Sequence, residues 1–146
     1  MTNQIIRQTT IVDYDDIYAL WNSTPGVGMR SLDDSREGIA KFLKRNPNTC
    51  FVAEYGNAVI GVILCGHDGR RGYIYHMAVA MEYRKQGIGR SLLDAALSAL
   101  RLEGINKAAL IVFKKNKLGN AFWESVGFTA RDDLVYRNMS LNDQNV

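Results

Sequence analysis

Residues 50 to 80 constrain the fold more than any other part of the chain. Two apolar runs, CFVAEY and AVIGVILCGH, are separated only by Gly56-Asn57, and a two-residue link of this kind closes a β-hairpin. A second turn, DGRRG, leads into a third run, YIYHMAVA. We therefore expect a three-stranded antiparallel meander, which places a sheet at the centre of the fold.

Apolar residues at helical spacing flank this meander on both sides. They predict two helices before it, a third from Ile88 to a C-cap at Gly104, and a fourth that ends at Gly127. Asp33 or Asp34 is the expected cap of the second helix. Further strands are predicted at residues 4–11, 107–113, 128–132 and 134–141. The resulting order, β-α-α-β-β-β-α-β-α-β-β, is that of an α/β domain with a mixed sheet.

The composition is that of an ordinary globular chain, and its 146 residues fit one domain, 1–146. The net charge of +3 is too small to indicate nucleic acid as a partner. No apolar run is long enough to span a membrane, and the N-terminus does not resemble a secretion signal. We expect a cytoplasmic protein without a membrane partner. Cys50 and Cys65 are expected to be core thiols, and no Cys/His spacing indicates a metal.

Two glycines lie where an amphipathic helix begins, in the segment EYRKQGIGRSLLDAAL. Glycine costs a helix interior up to about 1 kcal/mol relative to alanine, so Gly87 and Gly89 need a reason. They follow a strand and open a helix, where free backbone N–H groups and the helix dipole attract anions. Arg84, Lys85 and Arg90 add positive charge. This pattern fits either a diphosphate site or a solvated basic face beside a flexible turn.

Two common phosphate motifs do not match, because no GxxxxGK[ST] string occurs and Leu92 stands where a dinucleotide fingerprint needs a third glycine. The segment RKQGIG, residues 84–89, resembles the R/Q-x-x-G-x-G/A motif of the GNAT superfamily of acyl-CoA-dependent N-acetyltransferases. A strand ending in MAV, residues 77–79, and a helix led by Asn116 and followed by Gly127-Phe128 also resemble that family. The resemblance implies a mixed, mostly antiparallel central sheet flanked by helices.

The resemblance also implies how acetyl-CoA is bound as cosubstrate. Backbone N–H groups of the glycine loop would hold the pyrophosphate, and strand 77–79 would pair with the pantetheine arm where strands 73–80 and 107–113 diverge. The Val79 N–H would polarise the thioester carbonyl. Asn116 would contact the coenzyme, or else only cap the last helix. The implied coenzyme-binding residues are Met77, Val79, Arg84, Lys85, Gln86, Gly87, Ile88, Gly89, Arg90 and Asn116.

The acid and base used by many members of the family are missing here. Trp123 stands where a tyrosine often serves as general acid, and indole has no proton to give. Water or Tyr136 would then protonate the leaving thiolate. No carboxylate occurs between Asp68 and Glu82, the stretch in which members often place a base.

The polar side chains available on that strand are Tyr73, Tyr75 and His76. Imidazole is the side chain best suited to accept a proton near neutrality. Strand alternation predicts that His76 faces away from the two tyrosines. The catalytic candidates are His76 and Tyr73, with His67 near the DGRRG turn as a further one. A strand histidine such as His76 is also compatible with a purely structural role.

The acceptor side is expected to be formed by loop 22–31, the second helix and the last hairpin. An apolar wall could come from Trp21, Met29 and Tyr136. The ammonium group of an acceptor could be held by Asp33, Asp34 or Asp68. Packing and helix capping alone would also explain all of these residues.

We predict an N-acetyltransferase, an acyltransferase that moves the acetyl group of acetyl-CoA to a primary amine by direct attack in a ternary complex, without a metal. The acceptor would be a small-molecule or peptide amine. An alternative is a catalytically weak or inactive acyl-CoA-binding sensor, since the usual acid and base are missing. A third class is a structural domain without a ligand. A monomer or a homodimer is expected.

Overall fold

A computed structural model describes residues 4 to 146. Its regular elements, in chain order, are β1 (Ile5–Gln8), α1 (Tyr14–Asn22), α2 (Arg36–Arg45), β2 (Phe51–Tyr55), β3 (Ala58–His67), β4 (Gly72–Val79), α3 (Ile88–Leu102), β5 (Ala108–Leu110) and α4 (Lys117–Ser125). Short 3-10 turns precede α1 and follow β4. This order confirms the predicted one as far as the last helix.

The five strands form one sheet in chain order. The first three pairs are antiparallel, and β5 pairs with β4 in parallel. Gly56 and Asn57, which join β2 to β3, have φ values of 55° and 66°, the left-handed conformation that a type I′ hairpin turn requires. The predicted meander and the mixed, mostly antiparallel sheet flanked by helices are therefore confirmed.

Both faces of the sheet are buried. Val62 and Leu64 of β3 pack against α1 and α2, whereas Ile63 and Cys65 pack against α3. Cys50 belongs to the first of these clusters, so the two cysteines are buried on opposite faces. Both are core thiols, as predicted.

The two strands predicted at residues 128–132 and 134–141 are not formed within residues 4 to 146. The second segment has no regular structure and its apolar side chains are exposed, Leu134 by 61% and Met139 by 80%. A strand needs a neighbouring backbone to pair with and a face to bury. β5 is only three residues long, which leaves the alternating pattern without a sheet to join.

The ends of two helices show what the sequence predicted well and what it did not. Gly104 has φ +79° just beyond α3, as expected of a C-cap glycine. The cap of α2 is Ser35, whose hydroxyl accepts a hydrogen bond from the Gly38 N–H at 3.0 Å. The prediction that Asp33 or Asp34 caps this helix is wrong, because the serine after them supplies the cap.

β4 contains one extra residue relative to β3. From Tyr75 to Ala78, three steps along β4 match only two along β3, and His76 has a left-handed φ of +49°; both features mark a β-bulge. The bulge shifts the alternation by one residue. The His76 ring therefore contacts Trp21 of α1, on the face where Tyr75 contacts Phe42 of α2. The predicted placement of His76 opposite the strand's tyrosines is wrong.

Residues 4 to 146 contain neither a membrane-spanning helix nor a cluster of metal ligands. No helix there has both the length and the apolar character needed to cross a bilayer. Nor do these residues contain a group of three or more His, Cys, Asp or Glu side chains placed to bind a metal ion.

Candidate functional site

The loop that joins β4 to α3, residues 84–90, presents free backbone donors. Within the part of the chain that the structure describes, no group accepts a hydrogen bond from the N–H groups of residues 85 to 90. Lys85 and Gly87 have left-handed φ values of 62° and 83°, and successive N–H groups in such a turn form an anion-binding concavity. The loop therefore joins a nest of free donors to a helix N-terminus, and both attract an anion.

Gly89 lies in the first turn of α3. A Cβ there would lie 3.4 Å from Met77 Cε and from the Phe122 ring, which is ordinary contact distance. Packing would thus tolerate a side chain, and the glycine is better explained by access to the backbone N–H groups. Arg84 Nε donates to the Val79 carbonyl at 3.0 Å and ties the loop to the end of β4.

The sheet is split beside this loop. β5 pairs only with Gly72 to Ile74, while β4 continues to Val79. The N–H of Ala80 donates to Ile60 of β3, and the N–H groups of neighbouring residues point in alternate directions. The Val79 N–H therefore points away from β3, along a strand edge that an extended chain could pair with. Met77 lies in the bulge, where strict alternation does not apply.

Asn116 caps α4. Its Oδ1 accepts a hydrogen bond from the Gly119 N–H at 2.9 Å, which is the plain capping role considered from the sequence. Its Nδ2 lies close to Gly26 in the loop between α1 and α2, 2.8 Å from the position a Cβ would take. Contact between Asn116 and the coenzyme stays a prediction.

Trp123 is a packing residue. Its ring lies edge-on to Phe122 and Phe128, with centroids 5.0 and 5.3 Å away, and it packs against the α3 side of the core. No tyrosine takes the position of the usual general acid.

His76 lies beside a buried carboxylate that sequence reasoning did not connect with it. Its Nε2 is 2.9 Å from Oδ1 of Asp34, whose side chain is only 5% exposed. The Trp21 Nε1–H donates to the His76 carbonyl at 2.8 Å. Asp34 precedes His76 by 42 residues, so no local spacing could have paired the two. The sequence offered one indication of this pair. Ser35 can cap α2 without help from Asp34, so a polar role for Asp34 elsewhere could have been considered.

Tyr73 is poorly placed to act as a base. It pairs with Ala109 in the part of β4 that is still joined to β5, three residues, or about 10 Å, before His76. Burial, with smaller contributions from Tyr136 and Tyr75, raises the pKa of Tyr73 to about 12. The phenol therefore stays protonated near neutrality. The geometry favours His76 over Tyr73.

The other charged candidates already have partners. His67 Nε2 lies 2.6 Å from Glu103 Oε1, and Asp68 accepts from two backbone N–H groups in the turn before β4. Both lie at the opposite end of the β3–β4 pair from Val79. Asp33 accepts from the Asn145 side chain at 2.9 Å.

An open cavity of about 430 Å³ lies beside Asp34. Its lining residues are Tyr14, Tyr18, Met29, Arg30, Ser31, Asp34, Ser35, Arg36 and Val146. Met29 lines this cavity, and its role in an acceptor wall stays a prediction. Trp21 does not line the cavity, because only 1% of it is exposed. Tyr136 is 66% exposed and lies near Tyr73 and Tyr75.

The fold and the site together define a class of protein. Within the described residues, a helix N-terminus whose N–H groups have no acceptor lies next to a strand edge without a partner strand. The protein therefore suits a ligand with a diphosphate and an extended arm. Residues 14 to 128 match the model of the Acetyltransferase (GNAT) family, and the chain belongs to this family. It is an acetyl-CoA-dependent N-acetyltransferase, with acetyl-CoA as its cosubstrate.

Relatives and solved structures agree with this assignment. An acetyltransferase of Sodalis glossinidius is 28% identical over 123 residues, which cover 84% of this chain and 85% of the relative. An acetyltransferase of Yersinia enterocolitica is 24% identical over 132 residues, or 90% of this chain and 92% of the relative.

Solved structures of other proteins share the fold. Ard1 from Thermoplasma volcanium has a TM-score of 0.77 and 22% identity, and the match covers 86% of this chain and 82% of that one. An aminoglycoside N-acetyltransferase in complex with CoA has a TM-score of 0.73 and 15% identity, with 95% and 96% covered.

Proposed function

We propose that the protein transfers the acetyl group of acetyl-CoA to a primary amine by direct attack within a ternary complex. The observation that supports this proposal is that two binding features lie next to each other. Among residues 4 to 146, the N–H groups of residues 85 to 90 have no acceptor and can bind a diphosphate, and no strand pairs with the edge of β4 at Met77 and Val79, where the arm that follows could lie. Lys85 and Arg90 add positive charge near the diphosphate.

The reaction needs an oxyanion donor, a base and a proton for the sulfur. Bound acetyl-CoA supplies an acetyl thioester with an electrophilic carbonyl carbon. The Val79 N–H donates a hydrogen bond to the carbonyl oxygen, on which charge develops as the amine attacks. His76 accepts the proton that the amine loses, directly or through one water. Water protonates the departing thiolate, because Trp123 has no acidic proton.

Direct attack is also supported by the state of the two thiols. Burial raises the pKa of both Cys50 and Cys65 to about 12. The thiolate is the nucleophilic form of cysteine, so neither residue is suited to form an acyl-enzyme near neutrality.

The acceptor is a small-molecule or peptide amine in this proposal. Among the structures that share the fold are an aminoglycoside acetyltransferase in complex with sisomicin and a ribosomal-protein-alanine N-acetyltransferase from Brucella melitensis, so such folds serve both kinds of acceptor. The cavity beside Asp34 is the proposed entry for the amine. One domain, residues 1–146, acts as a monomer or homodimer in the cytoplasm.

The test is an acceptor screen with saturating acetyl-CoA. Thiol release is followed across aminoglycosides, polyamines, amino acids and peptides with free N-termini or lysines, and products are checked for the acetyl mass increment. We expect acceptor-dependent release for at least one class. Silence across the panel together with calorimetric binding of coenzyme A would replace the transferase with an acyl-CoA sensor. No binding of coenzyme A would contradict both.

A further inference from the structure

Asp34 is a buried carboxylate whose two oxygens are both used. Oδ1 lies 2.9 Å from His76 Nε2, and Oδ2 accepts the Arg30 N–H at 2.6 Å. A buried carboxylate is costly unless its hydrogen bonds are made. The loop between α1 and α2 therefore holds Asp34 in one orientation, with Oδ1 directed at the imidazole.

We propose that Asp34 is a positioning residue that fixes His76 in the tautomer with its proton on Nε2, so that Nδ1 is the nitrogen that accepts the amine proton. An ionised carboxylate only accepts hydrogen bonds, and a neutral imidazole has one donor and one acceptor nitrogen. The nitrogen beside Asp34 must then be the donor. This inference rests on the proposed function, in which His76 is the base.

The remaining nitrogen is available for proton transfer. Within residues 4 to 146, His76 Nδ1 has no hydrogen-bond partner, and it is not among the buried atoms that lack one. It therefore reaches solvent at the surface of the site.

Two further contacts hold the imidazole in place. The buried Trp21 donates its indole N–H to the His76 carbonyl and lies edge-on to the ring, with centroids 5.1 Å apart. The left-handed φ of His76 sets the direction in which the side chain leaves the strand. The backbone of His76, the position of its ring and its Nε2 are thus fixed by contacts. Within residues 4 to 146, Nδ1 makes no hydrogen bond and can accept a proton.

The direct test is the tautomer of His76 in the wild-type protein. Long-range proton–nitrogen correlation spectra of protein labelled with ¹⁵N-histidine distinguish the two neutral tautomers, and the His76→Asn spectrum identifies the signals. At pH 8 to 9 we expect a pyrrole-type Nε2 and a pyridine-type Nδ1. The reverse pattern, or a rapid mixture of both tautomers, would overturn the proposal.

The kinetic test uses Asp34→Asn, which keeps the shape but lets either tautomer form, because an amide can donate as well as accept. We expect kcat to fall about 10- to 100-fold, a part of the roughly 10²–10⁴-fold that a general base contributes, with the KM for acetyl-CoA unchanged. Asp94→Asn removes an exposed carboxylate of α3 that belongs to neither the coenzyme loop nor the acceptor side, and this matched control should keep its kcat.

A double variant shows whether Asp34 acts through His76. Asp34→Asn combined with His76→Asn should be no slower than His76→Asn alone, because a positioning residue has nothing left to position. The proposal would be contradicted if the fold losses in kcat of the two single variants multiplied in the double variant. An unchanged kcat for Asp34→Asn alone would also contradict it. If His76→Asn keeps full activity, the assignment of the base fails, while the spectrum still decides the tautomer. The spectrum also decides it if Asp34→Asn does not fold.

Discussion

The coenzyme loop, residues 84–90, and the His76 pocket, formed by Trp21, Asp34 and His76, are built in opposite ways. The loop offers backbone N–H groups at an exposed turn, and no acceptor for them lies in the part of the chain that the structure describes. In the pocket, by contrast, Asp34 and Trp21 are buried and hydrogen-bonded to His76. An anion is held by whatever main chain comes close to it, so its site depends on bare backbone. A proton acceptor must be one atom in one tautomer, so its site depends on side chains brought together by the fold.

The largest expected effect comes from a charge in the coenzyme loop. In Gly89→Glu a carboxylate stands among the donors, and like charges set against each other cost several kcal/mol. We expect coenzyme A affinity to fall at least about 1,000-fold, because each factor of ten corresponds to about 1.4 kcal/mol. The fold should persist, because a Cβ at this position makes only ordinary contacts. Glutamate also has a higher helix propensity than glycine.

Calorimetry measures this loss, and Ser98→Glu is the matched control. It adds the same charge on an exposed position of the same helix, nine residues further along. Wild-type affinity in Gly89→Glu would show that the coenzyme is not held at this loop.

The pocket should respond in the opposite manner. His76→Asn keeps the left-handed backbone conformation, which asparagine tolerates, and removes the base. We expect kcat to fall about 10²–10³-fold with coenzyme A affinity unchanged. His67 lies at the turn between β3 and β4, at the opposite end of this strand pair from Val79. His67→Asn should therefore keep the wild-type rate. Steady-state kinetics with the best acceptor from the screen separate the two histidines, and equal losses in both would count against a catalytic role for His76.

A smaller effect is expected from the tryptophan that supports the pocket. Trp21→Phe leaves the His76 carbonyl without its donor, which should lower the free energy of unfolding by about 1–3 kcal/mol. Trp123→Phe is the comparison on the coenzyme side. The Trp123 indole N–H donates no hydrogen bond to residues 4 to 146. Trp123→Phe should therefore lower the free energy of unfolding by less than Trp21→Phe does. Urea unfolding measures both, and the reverse order would contradict the difference drawn between the two regions.

No effect at all is expected from modification of the thiols. Because burial raises the pKa of Cys50 and Cys65 to about 12, thiolate forms only as the pH rises toward that value, and both groups stay protonated at pH 8. Iodoacetamide at pH 8 should leave the mass of the folded protein and its activity unchanged. Rapid alkylation with loss of activity would reopen an acyl-enzyme route.

The two regions also differ in how far the sequence could predict them. The coenzyme loop is a local feature, because its glycines, its cations and the helix that follows lie within a few residues of one another. The meander was predictable for the same reason, since Gly56-Asn57 fixes a turn wherever two strands flank it.

The pocket could not be predicted in this way. It depends on one extra residue in β4, which reverses the side of the sheet that His76 faces, and on an aspartate 42 residues away. The prediction of the last two strands was wrong for a related reason. Residues 128–141 have an alternating pattern, but pairing depends on the length of β5, which no local pattern sets.

The central claim is that the main chain of residues 85 to 90 holds the diphosphate of coenzyme A. Titration of coenzyme A into ¹⁵N-labelled protein tests it directly, because each backbone amide reports its own hydrogen bond. We expect the largest amide shifts on residues 85 to 90, with Met77 and Val79 next. Tight binding that leaves those six amides unshifted would contradict it.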